Sequence, residues 1–161
     1  MSDLLDIKLI IEKGWPKLTV TIKCSERNGD VDGIITAVQE YANNKVPAIS
    51  VYKKDNLVML SQKQIVRLYI EKRKVMVQTE DNLYETKKTL REVEEILDAD
   101  KFVRISQSEI INIRKVVSFD FSFAGTIGVE LKNGERTFVA RRRVKYVKEA
   151  LEKGDKDGYE N

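Results

Sequence analysis

The chain of 161 residues contains no histidine. That removes the commonest general base and the commonest metal ligand. There is one cysteine, Cys24, so no internal disulfide can form and none of the usual zinc ligand sets can be built. Cys24 follows Val20 and Ile22 in an alternating pattern and reads as a buried structural thiol on a strand. No run approaches the roughly 20 apolar residues a membrane span needs. The opening Met1-Ser2-Asp3-Leu4-Leu5-Asp6 lacks the basic and apolar regions of a secretion signal. These absences together point to the cytoplasm. Aromatic residues make up only 7% of the chain and fall mostly in core-like alternation, so stacking on single-stranded bases is not the first expectation. A nucleophile–base pair and a phosphate-cradling glycine loop are also missing, and the carboxylates are scattered over a charged sequence. The reading is therefore not an enzyme, with no cofactor and no metal.

Hydrophobic residues amount to 42%, enough for a core and for one domain with a small accessory unit. The net charge of +3 is unevenly spread. Residues 101–148 hold eleven Lys/Arg against four Asp/Glu, a balance of +7, whereas residues 1–45 hold six against seven, a balance of −1. A localised positive field is the footprint of a polyanion partner. Its most concentrated part is Arg141-Arg142-Arg143, placed after a predicted hairpin rather than along a helix. Guanidinium forks there suit phosphate, which they can engage in a bidentate way.

The pattern predicts strands over Ile7–Ile11 and Leu18–Cys24, interrupted by Gly14-Trp15-Pro16, then a helix from about Gly33 to Tyr41 capped by Asp32. This ββα unit, residues 1–45, is too small to bury its own apolar faces. It must pack on the rest of the chain or on a second copy, and it is the candidate for dimerisation or partner contact. Trp15 reads as core or interface. From Val46 the expectation is mostly β: strands at Ala48–Lys53, Leu57–Leu60, Ile65–Ile70, Val75–Thr79 and Leu83–Glu85. An amphipathic helix over Leu90–Leu97 follows. Then come a strand at Phe102–Ile105, one helical turn at Glu109–Ile113, a strand at Val116–Phe123, the hairpin Ile127–Ala140 and a helix over Lys145–Leu151. Residues 153–161 read as a polar tail.

Asn133-Gly134 at the hairpin tip favours a two-residue type I′ turn. That register pairs Lys132 with Glu135 and Val129 with Phe138. It puts Ile127, Val129, Phe138 and Ala140 on one face.

At this point the residues carry a family resemblance. The stretch Phe102-Val103-Arg104-Ile105-Ser106-Gln107-Ser108-Glu109-Ile110-Ile111-Asn112-Ile113 resembles the central signature of LytTR-type DNA-binding domains. Leu131-Lys132-Asn133-Gly134 and Ala140-Arg141-Arg142 resemble the second signature, and Leu90–Leu97 resembles the helix that precedes the first. The likeness spans roughly Ala48 to Leu151, with several motifs in order and at the right spacing.

The resemblance implies a mostly β, stacked-sheet DNA-binding domain over residues 46–152 whose loops, not a helix, enter the major groove. It implies a transcription regulator that binds repeated half-sites of double-stranded DNA as a homodimer. With 45 N-terminal residues, too few for a receiver domain, the chain resembles the one-component members. Those are often restrained by a small membrane protein. By similarity Gln107 falls on a DNA-contacting position, Arg141 or Arg142 on the arginine that follows the hairpin, and Arg73-Lys74 near a third contact loop. Arg104 belongs to the same contact set. Arginine suits guanine O6/N7 and glutamine adenine N6/N7. Ser106, Ser108, Arg143 and Lys145 are better cast as phosphate contacts. Asn112 reads as a turn or sheet-bridging residue. Ser106-Gln107 stands where many members carry histidine or another basic residue, and Ala140 where they carry serine; neither change abolishes binding in principle, and the preferred site does not carry over from the family. Two other readings use the same basic face: an RNA or non-specific nucleic-acid binder, and a protein–protein adaptor.

Overall fold

The computed structural model describes residues 19–44 and 46–158. The chain divides into two compact units, residues 1–41 and 42–161.

Among the described residues no strand is assigned over 19–24, and helix α1 runs over Gly29–Asn44, across the boundary between the units. The expected strand Ile7–Ile11 and Trp15 lie outside the described residues. The second expected strand, Leu18–Cys24, is not assigned over its described residues 19–24. Cys24 is accordingly exposed rather than the buried thiol expected. The helix starts one turn before the expected point. Asn28 caps it, its Oδ1 accepting from the backbone N–H groups of Asp30 and Val31 at 3.1 Å. Asp32 sits inside the first turn, where the helix dipole favours it, and pairs with Arg27 at 2.7 Å.

The second unit is built on ten strands: β1 (Ile49–Lys53), β2 (Asn56–Leu60), β3 (Ile65–Glu71), β4 (Lys74–Thr79), β5 (Leu83–Thr86), β6 (Phe102–Ser106), β7 (Glu109–Asn112), β8 (Val116–Asp120), β9 (Ile127–Leu131) and β10 (Arg136–Val139). Helix α2 (Leu90–Ile96) lies between β5 and β6, and α3 (Val144–Gly158) closes the unit, running through the start of the stretch read as a tail. Strands β1 to β7 form one antiparallel sheet in the order β2-β1-β5-β4-β3-β7-β6, and β8 to β10 form a second in the order β10-β9-β8.

Two cores sandwich the large sheet. On one face Leu90, Val93 and Leu97 pack on Val51, Leu60, Leu68, Val77 and Ile110. Seven residues are too few for a helix to hold by propensity. Helix α2 is held by that packing and by a capping box: Glu92 N donates to Thr89 Oγ1 at 3.2 Å, while Thr89 N donates to Glu92 Oε2 at 2.7 Å. On the other face the small sheet and α3 bury Ile127, Val129, Leu131, Val139 and Val147 against Val66, Ile105 and Ile111. Ile65 and Val66, both fully buried, enter opposite cores by strand alternation, and a bulge between Ile65 and Arg67 brings Leu68 back into the core of Ile65.

The segment read as one helical turn is strand β7, paired with both β3 and β6. It is buried on both faces, so no alternation marked it. Asn112, 2% exposed, bridges the sheet: its Nδ2 donates to Ile65 O at 2.8 Å and its Oδ1 accepts from Arg114 N at 3.0 Å.

The hairpin register is one residue away from the expected one. Val129 faces Thr137 and Ile127 faces Val139. Leu131 N donates to Glu135 O and Gly134 N to Leu131 O, both at 2.9 Å, closing a three-residue loop with Gly134 at φ +85°. This is a type I turn with a glycine bulge, which needs positive φ at one residue instead of two. The slip turns Phe138 out of the core, where it packs edge-on against Phe123 at 5.1 Å.

Candidate nucleic-acid interface

Strand directions bring the basic segments together. β3 and β6 run the same way, each antiparallel to the β7 between them. Their following turns, Lys72-Arg73 and Gln107-Ser108, therefore emerge side by side at one end of the large sheet. Ile70 N donates to Ser108 O at 2.9 Å and ties the two turns. β10 ends at the same place, where Ala140 N donates to Ile105 O at 2.8 Å. Arg141–Arg143 form a 3-10 turn directly after it and lead into α3 and Lys145. The Asn133-Gly134 tip lies at the opposite end.

The β3–β4 turn carries a signal of its own. Glu71 pairs with Lys74, so only Lys72 and Arg73 form the loop, at φ +49° and +67°. Two consecutive left-handed residues define a type I′ turn, for which Asn-Gly is the inexpensive choice. Each long side chain there costs roughly 1–2 kcal/mol of backbone strain.

Around the β6–β7 turn, Ser106 Oγ lies 3.3 Å from Ser108 Oγ and accepts from Ser108 N at 3.2 Å. Gln107 and Ser108 are exposed. Arg104 is not free to reach outward. A bulge between Arg104 and Ser106 lets its guanidinium fold back, donating to Ser106 O at 3.0 Å, to Gln107 O, and to Glu94 Oε2 at 2.8 Å. Arg104 thus braces the turn from below and anchors it to α2.

In the 3-10 turn, Arg141 lies over the β8–β9 loop, where a Cβ on Gly125 would meet its Nε at 3.5 Å. Arg143 is half-buried with its guanidinium 5.6 Å from the Tyr146 ring centroid. Arg142 is exposed and has no ion pair among the described residues, and the same holds for Arg73. Lys74 is held by Glu85 at 3.1 Å. Lys145 is exposed on the first turn of α3.

Behind these turns a polar network fixes one sheet on the other. Arg67, 13% exposed, donates to Gln78 at 2.6 Å and pairs with Glu109 at 3.1 Å and Glu135 at 3.4 Å. Glu109 Oε2 also accepts from Thr137 Oγ1 at 2.7 Å. Burial pushes the Tyr69 hydroxyl pKa up, and Arg67, 4.3 Å over its ring, opposes the shift. Glu109 directly follows Ser108, so this network sets the height of the β6–β7 turn.

Lys87 and Lys88 were not singled out from sequence, and Lys72 was read only as part of the charged loop Glu71–Lys74. Lys72 could have been found by counting two residues between Glu71 and Lys74. Lys87 and Lys88 form an unremarkable pair until strand order places them beside Arg73.

The architecture is that of a sheet-based nucleic-acid-binding domain presenting cationic turns at one end. The LytTr DNA-binding domain family model matches residues 55–152, more than half of the chain, and the chain belongs to that family. It is 30% identical over 118 residues to the sensory transduction protein LytT of Enterococcus faecalis, covering 71% of this chain and 49% of that protein; the chain thus spans about half the length of that relative. It is 25% identical over 148 residues to an uncharacterised HTH-type transcriptional regulator of Staphylococcus aureus, covering 92% of this chain and 99% of the other. A solved LytTr DNA-binding domain from Bacillus cereus shares the fold at a TM-score of 0.62 and 23% identity, covering 65% of this chain and 96% of that one. The family is one of DNA-binding domains, and the fold of this chain is that of the solved member. Among the described residues no helix is long and apolar enough to cross a membrane.

Proposed function

We propose that this chain is a sequence-specific regulator that reads the DNA major groove with the turns at one end of its large sheet. The observation that carries the reading is the convergence of Arg73, Gln107 and Arg142 on three neighbouring turns, exposed and without ion pairs among the described residues. Gln107 suits the N6/N7 edge of adenine and Arg142 the O6/N7 edge of guanine. Ser106, Ser108, Arg141, Arg143, Lys74 and Lys145 supply phosphate contacts that fix register. Arg104 is a positioning residue for Gln107. The protein acts in the cytoplasm as a homodimer on repeated half-sites, with residues 1–45 as the element of dimerisation or partner contact.

Selection from random duplexes tests this. The expected result is a spaced repeat bound about 10³-fold or more above a scrambled control at fixed salt. On that site Arg142→Ala costs about 1–3 kcal/mol and relaxes preference at one base pair. No enriched site, with uniform and steeply salt-dependent binding, would refute sequence-specific recognition. Binding to an acidic protein, unaltered by duplex DNA, would favour an adaptor.

A further inference from the structure

The β8–β9 loop, residues 121–126, carries no charge yet stands beside the most basic turn. Strand β8 ends at Asp120 opposite Gly128, and Gly128 lies opposite Phe138. The loop is therefore at the end of the small sheet where β10 runs out into Arg141. Two contacts tie it to that exit. Thr126 Oγ1 donates to Val139 O, and a Cβ on Gly125, at φ +74°, would meet Arg141 Nε at 3.5 Å and Cζ at 3.9 Å. The loop is also fixed from within. Asp120 Oδ1 accepts from Ser122 N at 2.9 Å and from Ser122 Oγ at 2.6 Å. Phe123 lies on β9, where a Cβ on Gly128 would come within 3.1 Å of its ring, and it meets Phe138 edge-on. Phe121 is held less closely. Its ring centroid is 6.5 Å from that of Phe119, and the residue is 56% exposed.

We propose that the β8–β9 loop is a DNA-contacting element: Gly125 seats the Arg141 side chain, and the Phe121 ring beside it packs on apolar atoms of the duplex. This rests on the DNA-binding reading above and adds an uncharged contact to it. The occupant is duplex DNA because the loop is continuous with the Arg141 turn. A guanidinium that reaches a phosphate from this seat brings the surface of the loop against the same stretch of duplex. The apolar atoms on offer there are deoxyribose carbons and the thymine methyl group, and a phenylalanine ring suits both. Phe121, Phe123 and Phe138 are all exposed at this one end of a three-stranded sheet, which makes a patch rather than a scattered single residue. The seat of Phe123 and the Asp120–Ser122 turn leave the loop little freedom to lose on binding. Val117 provides the comparison. It is 61% exposed on the same strand but stands at the other end of β8, next to Val116, which pairs with Leu131 near the Asn133-Gly134 tip.

The experiment is fluorescence anisotropy of the full-length chain on its selected duplex over a range of salt, comparing wild type with F121A, F121L and V117A. An apolar contact neutralises no phosphate. F121A should therefore weaken binding about tenfold at every salt concentration and leave the slope of log K against log salt within about 0.3 of wild type. F121L keeps the apolar bulk and recovers most of the loss. V117A removes an equally exposed apolar side chain and binds as wild type does. Circular dichroism melting confirms that each variant is folded. Replacing thymine by uracil one position at a time then assigns the contact: a position at which wild type loses affinity and F121A does not marks a thymine methyl, and uniform behaviour marks deoxyribose, either result upholding the contact. F121A affinity equal to that of wild type, on a duplex that both bind, would overturn it and leave the regulator reading standing. So would an equal loss in V117A, or a slope lowered by about 0.9 in F121A, which would mean that Phe121 acts only through Arg141. A wild-type chain that binds no duplex would sink both readings together.

Discussion

Replacing Arg104 with methionine separates a residue that touches DNA from one that shapes the residue that does. The guanidinium donates to the carbonyls of Ser106 and Gln107 and to Glu94, and its side chain is only 17% exposed. A hydrogen bond from a charged donor contributes about 1.5–3 kcal/mol net. The pair with the half-exposed Glu94 adds little more than about 0.5 kcal/mol. The two carbonyls sit in an exposed turn where water replaces the lost donors, so the expected loss of stability is about 2 kcal/mol. Binding falls for a different reason. A turn that holds its binding geometry only about one-tenth of the time loses tenfold in apparent affinity, about 1.4 kcal/mol. The assay is fluorescence anisotropy on the selected duplex over a range of salt, with amide hydrogen exchange of Gln107 and Ser108 alongside. Arg104→Met should speed exchange at both amides and weaken binding about tenfold with an unchanged salt slope. A direct phosphate contact would instead lower the slope by about 0.9. Glu94→Gln sharpens the contrast. If Arg104 is a brace, loosening its anchor weakens binding slightly or not at all. If it is a contact, releasing it strengthens binding. A slope change in the first variant, or tighter binding in the second, would refute the positioning role.

Three further outcomes follow from the geometry. Arg67→Met strands the nearly buried Glu109 and should cost about 3 kcal/mol by urea unfolding, with part of the loss recovered in the Arg67→Met/Glu109→Gln double variant; a loss below about 1 kcal/mol would mean the network does not join the two sheets. Gly134→Ala meets nothing within 4 Å yet must adopt φ +85°, so it should cost about 1 kcal/mol through backbone strain alone and leave DNA affinity unchanged, as equilibrium unfolding and anisotropy would show. Glu80, held by Lys115, Glu92, held by Thr89, and Asp120, held by Ser122, all have lowered pKa values in the folded state. Their stabilising effect is therefore complete above the ordinary carboxylate range and is lost as pH falls through their depressed values; a urea midpoint that rises on acidification from neutral pH would contradict this.

The sequence made the strands of the second unit visible where one face is wet and the other dry. Leu90–Ile96 was legible for the same reason, with its polar face turned outward. Legibility failed where burial is two-sided or where one turn sequence serves two geometries. Glu109–Asn112 carries no alternation because Ile110 and Ile111 enter different cores. Asn133-Gly134 fits a type I′ turn, but it fits a glycine bulge as well, and Phe138 faces the core in one register and solvent in the other. Val20, Ile22 and Cys24 alternate with no strand assigned among the described residues. Among the site residues, the basic loops were readable as composition and motif. Their meeting at one end, and the inward turn of Arg104, depended on strand order and a bulge that no local pattern encodes.

The site is thus a property of topology more than of any one motif. Its turns are separated by up to about half the chain, yet each is set by a ladder bond or a polar bridge to its neighbour: Ile70 to Ser108, Ala140 to Ile105, Thr137 to Glu109. A helix that reads DNA keeps its spacing through its own backbone. Here the large sheet keeps Arg73 and Gln107 apart, and the relation between the two sheets keeps Arg142 in place beside them. A perturbation far from DNA that shifts the small sheet against the large one changes the distance between Arg142 and Gln107 directly. Variants at the Arg67–Glu109–Thr137 bridge should accordingly alter which duplex is preferred, as well as how tightly it is bound, whereas variants of the outlying lysines should alter only tightness. Selection repeated with Thr137→Val, which keeps the volume and removes the bond to Glu109, separates these two behaviours: a shifted or broadened site is the expected result, and an unchanged site would show that the two sheets hold their register through the apolar core alone.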